Sequence, residues 1–88
     1  MDKRKKYEIG DHIDWTTDID CVKVIDRNTR HLIVISYPEA ALWDLVQQKY
    51  RVDQMIAMMS AITRQSTSNV ENLISGTIRE WQREGLIK

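Results

Sequence analysis

An unbroken apolar run, from Leu32 to Ile35, constrains this chain more than any other feature of its sequence. A strand with one face in water alternates apolar and polar side chains, and this run does not. Both of its faces therefore need cover, yet 88 residues form one small domain with a modest core. Two sources of cover remain open: the N-terminal segment with Ile13 and Trp15, or a partner molecule.

Two runs rich in β-branched residues flank the polar segment RNTR and predict a hairpin. The first run is Cys21 to Asp26 and the second is His31 to Ser36. A turn centred on Asn28 and Thr29 puts apolar residues opposite each other on one face. The facing pairs in this register are Val24 with Ile33 and Val22 with Ile35. A bulged turn would shift the pairing by one residue, so the register is left open. A weaker alternation within residues 9–20 predicts a short first strand.

Helical patterns follow the hairpin. Ser36 and Glu39 have the spacing of a capping box, which predicts a helix that ends near Lys49. Apolar residues at helical spacing predict a second helix over residues 52–63.

A second capping-box spacing, Ser68 to Glu71, predicts a third helix that ends before Gly85. The predicted fold class is therefore α+β: a small winged helix-turn-helix, in which a three-stranded antiparallel sheet is followed by three helices. We expect residues 9–88 to form this single domain, preceded by a disordered basic arm over residues 1–8.

The composition excludes several classes of function. Thirteen basic and thirteen acidic residues give no net charge to attract nucleic acid or an anionic membrane. A single cysteine, Cys21, excludes an internal disulfide and fits a cytoplasmic location. No run approaches the roughly 18 apolar residues of a membrane helix, so no membrane partner is expected.

No pattern predicts catalysis by this chain, and we expect neither a cofactor nor a metal. His12 and His31 do not have the spacing of a metal-binding motif. Ser68 and Cys21 have no evident base beside them, and the three glycines form no phosphate-binding loop.

Two binding functions remain. A helix-turn-helix is the usual scaffold for DNA recognition, but the third helix carries Glu71, Glu80 and Glu84 against only Arg79 and Arg83. A DNA-binding regulator is therefore the alternative. An exposed sheet edge can instead accept a peptide as an added strand, and the apolar run 32–35 suits such a site.

The segments YPEAALWDLV and NVENLISGTIREWQREGLIK carry a family resemblance. Together with LIVIS and VDQMI, in this order and spacing, they resemble the PqqD family, also called RiPP recognition elements. The resemblance spans about residues 20–88. Arg30 stands where the hairpin of that family often has a glycine.

The resemblance implies a non-catalytic adaptor. Members of the family hold the leader of a ribosomally made precursor peptide and present it to a modifying enzyme, often a radical S-adenosylmethionine protein. The leader lies as an added strand beside the third strand, in a groove shared with the third helix. The peptide-binding residues expected on this basis are His31, Leu32, Ile33, Val34, Ile35, Leu73, Ile74, Thr77 and Trp81.

Helical spacing also fits a core role for Ile74 and Trp81, which makes Leu73 and Thr77 the better candidates on the helix. An uncovered sheet edge can also recruit a second copy of the chain, so a homodimer is left open.

Overall fold

A computed structural model, which describes residues 2–88, has three strands followed by three helices. The strands are β1 (Ile13–Thr17), β2 (Cys21–Asp26) and β3 (Leu32–Ser36), and the helices are α1 (Glu39–Gln47), α2 (Val52–Thr63) and α3 (Thr67–Arg83). This order confirms the predicted α+β fold class.

The sheet is antiparallel in the order β1-β2-β3. Between β2 and β3 the register is the one expected for a turn at Asn28 and Thr29 without a bulge. The facing pairs include Val22 with Ile35 and Val24 with Ile33. The connecting loop spans residues 27–30 and ends on Arg30, whose φ of 61° is left-handed. Arg30 thus adopts the conformation for which glycine is favoured at this point of a hairpin.

The first strand extends the sheet and does not cover its outer face. Trp15 pairs with Val24, so both side chains lie on the inner face of the sheet. Ile13 shares that face and is 4% exposed. On the outer face Leu32 and Val34 are 59% and 55% exposed, so the second face of the apolar run stays open to solvent.

The core lies between the inner face of the sheet and the helices. Trp43 of α1 is at its centre, 1% exposed, with its ring edge-on to Trp15 and Trp81 at centroid distances of 5.9 and 5.2 Å. Helices α2 and α3 contribute fully buried side chains. They are Val52, Met55, Met59, Val70 and Ile74.

The N-terminal segment differs from the expected disordered arm. The carbonyls of Lys3 and Lys5 accept hydrogen bonds from the backbone N–H groups of Asp53 and Val52, at 2.8 and 2.9 Å. These N–H groups begin α2 and have no partner within the helix. Tyr7 is 8% exposed and joins the core. The charges of the segment predicted solvation, but its backbone and one aromatic ring find partners that only the folded chain provides.

Both predicted capping boxes are wrong, although the helices exist. Ser36 belongs to β3, and α1 begins after Pro38 without a hydrogen bond from a capping side chain. At α3 the capping residue is Ser66 and not Ser68, because the Ser66 Oγ accepts the Asn69 N–H at 3.2 Å. The spacing of a serine and a glutamate does not reveal which serine ends the preceding segment.

Candidate functional site

The outer edge of β3 has no neighbouring strand in the sheet. Two backbone bridges lie outside the sheet, between Lys6 and Arg51 and between Ile9 and Ile87. Neither bridge involves β3, so nothing within residues 2–88 pairs with this edge. We call it the open edge of β3.

The hydrogen bonds at the two ends of β3 identify the backbone groups on the open edge. The Asp26 N–H donates to the His31 carbonyl at 3.1 Å, and the Tyr37 N–H donates to the Asp20 carbonyl at 3.2 Å. Hydrogen-bonded pairs alternate along an antiparallel ladder, so the odd-numbered residues between them bond to β2. The residues whose N–H and C=O groups face outward are therefore Leu32, Val34 and Ser36.

A groove separates the open edge of β3 from α3. It consists of two neighbouring cavities of about 390 and 250 Å³, and Ile33 and Glu84 line both of them. The larger cavity begins at the hairpin loop beside Thr29, and the smaller one reaches Glu39 at the start of α1. We call this cleft the β3–α3 groove.

The floor of the β3–α3 groove is apolar and firmly supported. Ile35, Thr77 and Trp81 line it but are only 6%, 8% and 5% exposed, because their other sides pack into the core. Ile33 is half-buried and joins both cavities. A ligand in this groove would meet side chains that the core already holds in place.

The structure brings most of the predicted site residues together. Those that line the β3–α3 groove are His31, Ile33, Val34, Ile35, Thr77 and Trp81. Leu32 contributes backbone groups to the open edge, while its side chain lies on the outer face of the sheet. Leu73 is half-buried on the same helical face as Thr77, one turn earlier in α3.

Ile74 does not reach the surface. It is 0% exposed and belongs to the core, so it has no area to offer a ligand. Helical spacing alone did not decide between core and groove for this position. The packing of α3 on the sheet and on α2 decides it.

Among the lining residues that the sequence reasoning missed are three glutamates. They are Glu39, Glu80 and Glu84. None of them forms an ion pair in the described part of the chain, and neither cavity is lined by a Lys or Arg. For Glu80 and Glu84 the signal in the sequence was their helical spacing from Thr77. This spacing puts the three side chains on one face at the C-terminal end of α3.

Asp26 organises the end of the groove next to the hairpin loop. Its Oδ1 accepts the N–H groups of Asn28 and Thr29 at 2.8 and 3.3 Å, and its Oδ2 lies 3.7 Å from the Nε2 of His12. Desolvation raises the pKa of this carboxyl, but the two backbone hydrogen bonds and His12 outweigh it, so that the pKa lies below its ordinary value. Asp26 is therefore charged at neutral pH and holds the loop.

Residues 2–88 hold neither a cluster of metal-binding side chains nor a membrane-spanning helix. No group of three His, Cys, Asp or Glu side chains lies close enough together to hold a metal ion. In the same range, every helix is too short or too polar to cross a lipid bilayer.

Comparison with known proteins supports the fold. No protein-family model and no curated protein matches the sequence. The structure is similar to that of TbiB1 in complex with the TbiA(beta) leader peptide, with a TM-score of 0.88 and a sequence identity of 16%. The match covers 92% of this chain and 94% of the TbiB1 chain. The chain therefore has the fold of a protein that was solved with a leader peptide bound.

Proposed function

We propose that this protein is a non-catalytic cytoplasmic adaptor. It captures the leader of a ribosomally made precursor peptide as an added strand and presents that peptide to a modifying enzyme. The observation that carries this proposal is the open edge of β3 beside a groove whose floor is formed by Ile33, Ile35 and Trp81. The complex of TbiB1 with the TbiA(beta) leader peptide, on the same fold, supports the class of ligand.

Strand addition uses both features of the site. The backbone of the leader pairs with the outward N–H and C=O groups of Leu32 and Val34. Because side chains alternate along a strand, every second leader side chain points into the β3–α3 groove, towards Ile33 and Trp81. The remaining side chains lie beside the exposed Leu32 and Val34 on the outer face.

The expected affinity is moderate. Each backbone hydrogen bond contributes about 0.5 to 1.5 kcal/mol net, and each buried apolar anchor contributes about 1.5 to 3 kcal/mol. After the cost of association, a dissociation constant near the micromolar range or somewhat tighter follows. The modifying enzyme then acts on the part of the precursor beyond the bound strand; the family resemblance suggests a radical S-adenosylmethionine protein for this role.

A proline placed on the open edge tests the proposal. Val34→Pro removes an outward N–H without removing a bond to β2, which an edge strand tolerates. The matched control is Thr17→Pro, on the outer edge of β1, where the N–H also faces outward. The ligands are synthetic leaders of precursor peptides encoded beside this gene, measured by calorimetry, and duplex DNA is the negative control.

We expect Val34→Pro to weaken leader binding by about tenfold or more, whereas Thr17→Pro binds like the unmodified protein. Circular dichroism establishes that both variants are folded. A folded Val34→Pro variant with undiminished affinity would contradict strand addition at β3. Binding to duplex DNA that weakens steeply with salt, without any leader binding, would favour the DNA-binding alternative.

A further inference from the structure

We infer that the captured leader carries a Lys or Arg side chain that points into the β3–α3 groove and pairs with Glu80 and Glu84. This inference rests on the proposed function and specifies the chemistry of the leader. It is carried by the contrast between the apolar floor of the groove and its acidic rim.

The acidic rim lacks partners within the described part of the chain. Glu80 is an exposed residue of α3, Glu84 is the exposed residue that caps the C-terminal end of α3, and both line the groove. Elsewhere on the same helix, Glu71 is paired with Lys3 at 3.3 Å. The basic residue nearest in sequence to Glu80 is Arg79, whose Nη2 donates to the Ser75 Oγ at 3.3 Å and which borders a different cavity. The groove therefore presents carboxylates that form no ion pair within residues 2–88, although Arg83 directly precedes Glu84 in the sequence.

Docking of a strand makes these charges costly. A strand on the open edge of β3 removes water from the groove, and a carboxylate that loses water without gaining a partner is destabilised. A cation on the incoming strand offsets this loss and adds a charge-assisted hydrogen bond. An acidic side chain at the same position adds repulsion to the desolvation.

The shape of the site favours a long basic side chain over a short polar one. The floor at Ile33 and Trp81 suits the aliphatic stem of Lys or Arg, while the charged end extends to the rim at Glu80 and Glu84. The indole ring of Trp81 can also attract a cation that lies over it. Successive inward side chains of a strand are about 7 Å apart, so one or two of them reach the rim.

A second copy of this chain is a poorer occupant than a basic peptide. Antiparallel pairing of two β3 edges would bring two acidic rims towards each other, and like charges repel. Two basic side chains of the N-terminal segment have other partners: Lys3 pairs with Glu71 at 3.3 Å, and the Nζ of Lys5 lies 5.0 Å from the centroid of the Tyr7 ring.

Selection from a displayed library of random peptides tests the inference. The unmodified protein, the double variant Glu80→Gln/Glu84→Gln and the control Glu71→Gln are used as baits at low salt. The control makes the same chemical change on the same helix but outside the groove. Val34→Pro is a fourth bait that identifies which peptides bind by strand addition.

We expect the unmodified protein and Glu71→Gln to select peptides with Lys or Arg at one inward position, flanked by alternating apolar residues. The double variant should lose this enrichment. For a selected peptide, changing its Lys or Arg to Gln should weaken binding to the unmodified protein by about three- to tenfold and to the double variant hardly at all. High salt should reduce the difference.

Two kinds of result would overturn the inference, and they are distinguishable. In the first, the selected peptides depend on Val34, but they show no enrichment of Lys or Arg, or the enrichment persists in the double variant. This result refutes the basic side chain and leaves strand capture intact. If no selected peptide depends on Val34, strand capture fails and this inference fails with it.

Discussion

The rings of Trp43 and Trp81 meet edge to face, with centroids 5.2 Å apart and planes inclined by 77°. Trp43 is the most central aromatic side chain of the core, and Trp81 is at once a core residue and a wall of the β3–α3 groove. The proposed binding surface and the stability of the domain therefore depend on the same side chain. A variant of the site must be shown to be folded before a loss of binding is assigned to the groove.

Trp81→Ala should destabilise the fold strongly. Removal of a buried aromatic ring costs about 3 to 5 kcal/mol, because it loses apolar burial and leaves a cavity. Trp15 also contacts Trp43 but is 38% exposed, so Trp15→Ala should cost clearly less. Urea denaturation followed by circular dichroism measures both, and equal losses would contradict the supporting role assigned to Trp81.

Ile33→Asp should weaken leader binding by about tenfold or more, because it puts a desolvated charge on the apolar floor beside the acidic rim. The control Leu32→Asp makes the same kind of change on the outer face of the neighbouring position. It should alter binding much less. Calorimetric titration of both variants with the same leader distinguishes them, and unchanged affinity in a folded Ile33→Asp protein would reject the floor assignment.

The two glycines of the C-terminal region should respond in opposite ways to alanine. Gly85 has a φ of 77°, so Gly85→Ala should destabilise by about 1 kcal/mol through left-handed backbone strain. Gly76 lies inside α3 with open space around it, so Gly76→Ala should stabilise by up to about 1 kcal/mol through helix propensity. Thermal unfolding of the two variants measures the change in stability and its sign for each. A stabilised Gly85→Ala protein would be inconsistent with the positive φ.

Acid should remove the stabilising effect of the Asp26 carboxylate. Its pKa in the folded state lies below the ordinary value of 3.8, so its contribution is present at neutral pH and is lost as the pH falls through the folded value. Asp26→Asn should therefore be less stable than the unmodified protein at neutral pH. The difference should shrink when urea denaturation is repeated well below pH 3.8.

A difference in stability that is independent of pH would assign the effect of Asp26→Asn to lost packing. Asp20→Asn is the control, since the structure shows no hydrogen bond to its side chain within the described residues. We expect this variant to follow the unmodified protein at both pH values.

Tyr7→Ala tests whether the N-terminal segment belongs to the folded domain. Burial of most of this ring predicts a loss of about 2 to 4 kcal/mol in the free energy of unfolding. Ile19→Ala, at a position that is 100% exposed, should change it very little. If the Tyr7→Ala protein is as stable as the Ile19→Ala protein, the result would favour the disordered arm that the sequence predicted.

Much of the fold could be predicted because its signals are local. The two runs rich in β-branched residues within residues 21–36 predict the hairpin, and the structure has the register without a bulge, in which Val24 faces Ile33. The apolar spacing over residues 52–63 determines α2 with the predicted ends. These features depend on residues that are close in sequence, and such residues produce a periodic pattern of apolar side chains that can be read directly.

The local signals failed to identify the residues that cap the helices. Ser36 and Ser68 had the right spacing for capping, yet Ser36 completes β3 and Ser66 caps α3. The charges of residues 1–8 predicted a disordered arm. The N–H groups at the start of α2 that bind this segment are distant in sequence, so no local pattern predicted the contact.

The sequence by itself determined the order of elements and the apolar character of the run from Leu32 to Ile35. Only the tertiary structure decided that β1 joins the far side of the sheet, that Ile74 turns into the core and that Glu80 and Glu84 stand opposite the open edge of β3. The physical reason is that a groove is formed by groups from distant parts of the chain. Its shape and charge arise from how those parts pack, and no single stretch of sequence contains them.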